Sequence, residues 1–151
     1  MIAYKPEHFT LEELVHPQII KAIGGTNSWL RLDSRALKDL QILRTSWYLR
    51  HKSGIYINRI DLGIDSRGLR PPDDPDGGMY STHKQGGTFD LEPVNGKHEL
   101  FYHFCQDMIA TGGVKYFNTM EDKKFTPTWS HLARMNHNKK ILIIKPKKEL
   151  I

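Results

Sequence analysis

Cysteine is almost missing from this chain: Cys105 is the only one among 151 residues. An internal disulfide is therefore excluded, and the fold must rest on buried apolar surface. Cys105 lies in the apolar run "LFYHFCQDMIA" and reads as a buried core thiol, compatible with a reducing cytosol. Long hydrophobic stretches are lacking too, since no run approaches the roughly 20 apolar residues that cross a bilayer. The opening "MIAYKPEHFT" has no apolar segment of the secretory kind, so synthesis in the cytoplasm is expected. There is no internal repeat, no low-complexity tract, no arginine-rich helix and no recognisable nucleic-acid-binding motif. Neither nucleic acid nor membrane is expected as a partner, and a monomer is expected.

Acidic residues are in deficit, 17 against 22 basic ones, for a formal net charge of +5. Along the chain the basic residues look scattered, apart from the closing "KPKKELI". The balance favours polyanionic surroundings without naming one. With 38% apolar and 26% charged residues, 151 residues suit one globular domain spanning 1–151, large enough for its own core.

Local signals give the elements. In "HFTLEELVHP", Thr10 can cap a helix, Glu13 can reach back to it, and Phe9 can staple onto Leu14. Pro17 disfavours a helical His16, so that helix is short and a new segment follows. "GGTN" (24–27) reads as a loop. From Ser34 to about Arg50, Leu37, Leu40, Leu43 and Trp47 form a helical stripe behind Asp33 as cap. "GIYINRI" reads as a strand. Residues 61–80 are dense in Gly, Pro and Asp, a long loop of the functional or disordered kind. A helix from Lys97 to Ala110, with Leu100, Phe101, Phe104 and Met108 on one side, ends at Gly112–Gly113. "VKYFNTM", "TPTWSHLARM" and "KKILIIKP" read as three strands. The order predicts an α+β domain whose central, largely antiparallel sheet carries flanking helices.

Of the eight histidines, His8, His16, His51, His98, His103 and His137 read as surface or satisfied side chains. His83 stands apart because "MYSTHKQGGTFDLEP" sets it seven positions before Asp90, with Gly86 and Gly87 between. On one straight strand the two would lie about 23 Å apart and on opposite faces. Two ligands of one metal must instead place their donor atoms roughly 2 Å from the same ion. A sharp fold at the glycines would bring them together. The third candidate ligand is His131 in "TPTWSHLARM", where Trp129, His131 and Ala133 would share a strand face.

Ser81, His83, Gly86 and Asp90 resemble the S-x-H-x-x-G-x-A-x-D pattern of the zinc D-alanyl-D-alanine peptidases. That family shares a superfamily with lysostaphin-type peptidases and the hedgehog signalling domain. "TWSHL" is similar to its second motif, W-x-H. "FTLEELVHP", "LDSRALKDLQILR", "DSRGLRPP" and "KKILIIKP" look like segments of the small phage-type members, so the resemblance covers nearly the whole chain. It implies Zn2+ held by His83, Asp90 and His131 on the sheet face. It also implies Arg70 as the stabiliser of a developing oxyanion, with Arg67 a competitor, and Ser81 and Trp129 in the substrate cleft.

Three departures stand out. Thr88 replaces the motif's alanine, Thr128 occupies a position that is often a carboxylate, and Ala133 one that is often aspartate. A threonine hydroxyl is no base at neutral pH, so the general base passes to Glu121, with Asp122 beside it. The implied activity is a zinc-dependent peptidoglycan peptidase, either a D-alanyl-D-alanine carboxypeptidase or an endolysin-type endopeptidase. Its substrate is a stem peptide or crossbridge, reached at the bacterial cell wall after lysis-linked release or delivery in a particle. The alternative is a non-catalytic, zinc-containing binding or virion module of the same fold.

Overall fold

Thr10 opens the first helix as its sequence predicts. In the computed structural model, which describes residues 3–74 and 82–146, the Thr10 N–H donates to the Glu13 carboxylate at 2.7 Å, completing a capping box. Helix α1 (Leu11–Leu14) is one turn long, and Phe9 and Leu14 are both buried. His16 then caps α2 (Pro17–Ile23), its ring nitrogen accepting from the Gln18 N–H. "GGTN" is not a loop: Gly24, at φ +83°, turns the chain and α3 (Gly25–Leu30) starts at once. Composition suggested a loop there; the buried Ser28, whose hydroxyl donates to Gly24 O at 2.7 Å, pulls the segment into a helix.

Helix α4 (Ser34–His51) is capped by Asp33 and buries Leu37, Leu40, Leu43 and Trp47, the stripe its spacing predicts. Helix α5 (His98–Ala110) buries Phe101, Phe104, Cys105 and Ile109, but Leu100 faces solvent. The buried face is rotated toward Cys105, which lies between Phe101 and Ile109 along the helix. Burial pushes the Cys105 thiol well above its ordinary value.

The five strands are β1 (Ile55–Tyr56), β2 (Phe89–Pro93), β3 (Thr119–Glu121), β4 (Ser130–Ala133) and β5 (Leu142–Ile144). All are shorter than the apolar runs that contain them. Their order is β1-β2-β4-β3-β5. Three pairings are antiparallel and β3–β5 is parallel, so the α+β sheet is mixed but largely antiparallel. Residues alternate across the sheet. Phe89, Leu91, Met120 and Leu132 are fully buried on one face, and Asp90, His131 and Glu121 fall on the other. Among the described residues no helix is long and apolar enough to cross a membrane.

Candidate metal centre

Two of the candidate ligands are brought together by strand register. Asp90 on β2 and His131 on β4 are direct cross-strand partners, which sets their Cβ atoms about 5 Å apart on one face. The third, His83, arrives from outside the sheet on a short 3-10 turn (Thr82–Gln85). The backbone then reverses at Gly86, at φ +79°. A Cβ there would overlap Arg31 O, so both conformation and space require glycine. The expected sharp fold between His83 and Asp90 is present, and Gly86 carries it.

Residues 67–70 lock this arrangement. Arg67 O accepts from the Asp90 N–H at 2.8 Å, and the Arg70 N–H donates to His83 O at 3.0 Å. Gly68 O accepts from His83 Nδ1 at 3.1 Å, and Leu69 exchanges backbone bonds with Leu14 and His16. A Cβ at Gly68 would overlap Leu14 O. Farther out, the buried Asn58 takes the Arg67 N–H at 2.9 Å and donates to Glu12 O, tying this segment to α1. Sequence reading singled out the two arginines of "SRGLR" and missed Gly68 between them; a glycine inside a Pro- and Asp-rich stretch was the available signal.

A carbonyl only accepts, so His83 Nδ1 must carry a proton and present Nε2 inward. His83 Nε2 lies 3.3 Å from His131 Nδ1 and 3.3 Å from Asp90 Oδ2. His131 Nδ1 lies 2.8 Å from Asp90 Oδ1. Around an ion with bonds of about 2.05 Å, tetrahedral edges measure about 3.3 Å; the two separations from His83 match that edge, while the 2.8 Å between His131 and Asp90 is that of a hydrogen bond. All three side chains are buried. Burial alone would raise the Asp90 carboxyl, yet the charge and hydrogen bonding of His83 and His131 outweigh it and hold it far below the carboxylate range. Burial would lower His131, but its hydrogen bond to Asp90 and the charges of Asp90 and Glu121 raise it, with Arg70 opposing. The two imidazoles are the partners of that buried carboxylate. A divalent cation can take a place among the three, and this is the one such group among the described residues.

The flanking residues divide clearly. The β3–β4 register pairs Thr119 with Ala133 and Met120 with Leu132, so continuing it sets Glu121 opposite His131. Glu121 Oε1 is 3.9 Å from His131 Nε2, the nitrogen turned away from the cluster. Asp122 has left the strand and caps the next turn, accepting from the Lys124 N–H. Arg70 Nη2 is 3.7 Å from Asp90 Oδ2, while its Nε donates to Ser66 O at 2.6 Å. Arg67 is instead committed to Glu92, at 2.9 Å. Trp129 is half-exposed and immediately precedes β4; Thr128 is exposed and Ala133 buried on the strand. Ser81 lies outside the described residues.

No protein-family model matches this chain, and no curated protein or solved structure matches it either.

Proposed function

We propose that the chain is a zinc-dependent peptidase of peptidoglycan peptides, a D-alanyl-D-alanine carboxypeptidase or an endolysin-type endopeptidase. The observation that carries this reading is the convergence of His83 Nε2, His131 Nδ1 and the Asp90 carboxylate in one buried group that could hold a metal ion, flanked by Glu121 and Arg70. Two imidazoles and one carboxylate suit a catalytic zinc, which keeps three protein ligands and one open position. They are too few oxygens for calcium, which takes 6–8.

Zinc in this position would acidify a water and polarise the scissile carbonyl. Glu121 would take the proton from that water and deliver it to the leaving amine. Arg70 would donate to the carbonyl oxygen as negative charge develops, a task suited to a group that never deprotonates. Trp129 would line the cleft, and Ser81 would take part in binding substrate. The place of action would be the bacterial wall, reached by lysis-linked release or particle delivery.

One observation favours the second reading, a non-catalytic zinc module. Glu121 stands by the outward nitrogen of His131, a position that also suits a carboxylate orienting a ligand imidazole. Purified peptidoglycan incubated with zinc-loaded protein, followed by mass spectrometry of the muropeptides, separates the two. Release of D-alanine marks the carboxypeptidase and new crossbridge amines mark the endopeptidase. Bound zinc with unchanged muropeptides from every wall chemotype would leave the module.

A further inference from the structure

Away from the metal cluster, two cavities adjoin on the side where α4 meets the end of β4. One, of about 490 Å3, lies over α4; the other, of about 350 Å3, lies over the loop that leads to β5. They share Lys115 and Arg134 as a common wall. Together they are lined by six cations: Arg35, Lys38, Lys115, Arg134, Lys139 and Lys140. The one carboxylate among the lining residues is Asp39, which is buried. It is occupied with the N–H groups of Lys115, Tyr116 and Phe117, at 3.3, 2.8 and 3.0 Å. Setting these residues aside from the 22 basic and 17 acidic ones leaves 16 of each. Arg35 is also paired with Asp33, at 2.8 Å, so with Asp33 counted four of the chain's five net positive charges lie around this recess.

The recess is built rather than draped. Asp39 pins the 115–117 segment from beneath, and Arg134 Nη1 donates to Tyr116 O at 2.9 Å. The guanidinium groups of Arg35 and Arg134 lie 4.9 and 5.7 Å from the Tyr116 ring. The cations arrive from four segments, namely α4, the loop after α5, the end of β4 and the loop before β5. Approach from several directions suits a tetrahedral phosphate, whose oxygens do not share one plane as a carboxylate's do. A duplex is read by a helix or ribbon inserted into its groove, and a recess offers neither. Single strands are held by stacking bases on open aromatic faces. Here Tyr116 is flanked by guanidinium groups and Phe117 is buried in the core.

We propose that this recess binds a thin phosphodiester chain without bases, a polyol phosphate. Binding needs no metal, so it stands or falls separately from the peptidase reading. The test titrates the full chain, with zinc and without it, with poly(glycerol phosphate) at about 50 and 200 mM salt, a range over which phosphate contacts weaken steeply. Lys139→Gln with Lys140→Gln alters exposed loop residues. Lys115→Gln with Arg134→Gln alters the shared wall, and Lys21→Gln with Lys97→Gln serves as a charge-matched control elsewhere. The expected result is binding that weakens at least about 10-fold in either recess variant, with a shallower salt dependence, and is unchanged in the control and by zinc. The proposal is overturned by no binding at the lower salt, by equal loss in the control, or by recess variants that bind as the parent does. Tighter binding of a single-stranded oligonucleotide or of polygalacturonate would overturn it equally.

Discussion

The candidate metal site and the cationic recess both gather charged side chains from distant parts of the chain, but they are held by opposite means. In the cluster, His83, Asp90 and His131 are buried, and Gly68, Arg67 and Arg70 hold their ring nitrogens and backbone groups through hydrogen bonds. In the recess, all six cations are exposed on long side chains; Asp39 pins the backbone beneath them, and of the side chains Arg134 donates to Tyr116 O and Arg35 pairs with Asp33. A buried site couples to folding, because its geometry and the surrounding packing are one set of contacts. An exposed one acts through the summed field of mobile charges, which salt screens within about 10 Å at 0.1 M. Substitutions should therefore act on stability in the first region and on salt-dependent binding in the second.

The largest effect expected is on turnover. Glu121→Gln keeps the side chain's shape, so zinc content and melting should hold while muropeptide release falls by about 100-fold to 10,000-fold. If hydrolysis survives at the parent rate, Glu121 is an orienting neighbour of His131 and nothing more. Arg70→Ala should lower turnover by about 100-fold and also lower the melting temperature, because its largely buried side chain donates to Ser66 O and faces Asp90.

Next comes the metal itself. Zinc at a thousand times its dissociation constant should stabilise the fold by about 4 kcal/mol, read as a melting temperature that drops on adding a chelator. His131→Ala should abolish that zinc dependence. No recess substitution should alter it, and a recess variant that loses zinc would break the separation between the two regions.

Gly68→Ala probes the support beneath the cluster. Its new methyl group meets Leu14 O, and relieving the overlap displaces the carbonyl that orients His83. A loss of about 1–3 kcal/mol is expected in chemical denaturation, together with a zinc affinity weakened about 10- to 100-fold. Lys139→Gln with Lys140→Gln, by contrast, should move stability by less than about 0.5 kcal/mol.

A smaller effect distinguishes the metal-free from the loaded cluster by pH. Burial opposes the shift, but Asp90 raises His131 above 6.5, so its contribution is full below 6.5 and is lost as pH rises through the raised value. Asp90 is lowered from 3.8, so its contribution is full above 3.8 and is lost as pH falls toward the lowered value. The chelated protein should therefore gain most from this pair between 3.8 and 6.5. Zinc needs the imidazole nitrogens unprotonated, so the stabilisation it gives should grow as pH rises through the same upper limit. Melting curves at about pH 5 and pH 8, with chelator and with zinc, should show opposite trends. Parallel curves would mean that His131 is not a ligand.

What the sequence determined by itself is what depends on near neighbours. The capping box of Thr10 and Glu13, the Asp33 cap and the Leu37 to Trp47 stripe are written within a turn or two of helix. The reversal after His83 is likewise local, because Gly86 adopts a positive φ that other residues disfavour. His83, Asp90 and His131 could be picked out as donors by residue type and motif. Their meeting belongs to the tertiary structure, through the β2–β4 register that pairs Asp90 with His131. The same holds for Glu121 opposite His131, where a one-residue slip would turn the carboxylate to the other face. Leu100 and "GGTN" were misjudged because periodicity and composition do not say which neighbours will pack against a segment. The scattered basic residues carry the same lesson. Nothing in their spacing announces that six of them line one recess, because charge adds in space and not along the chain.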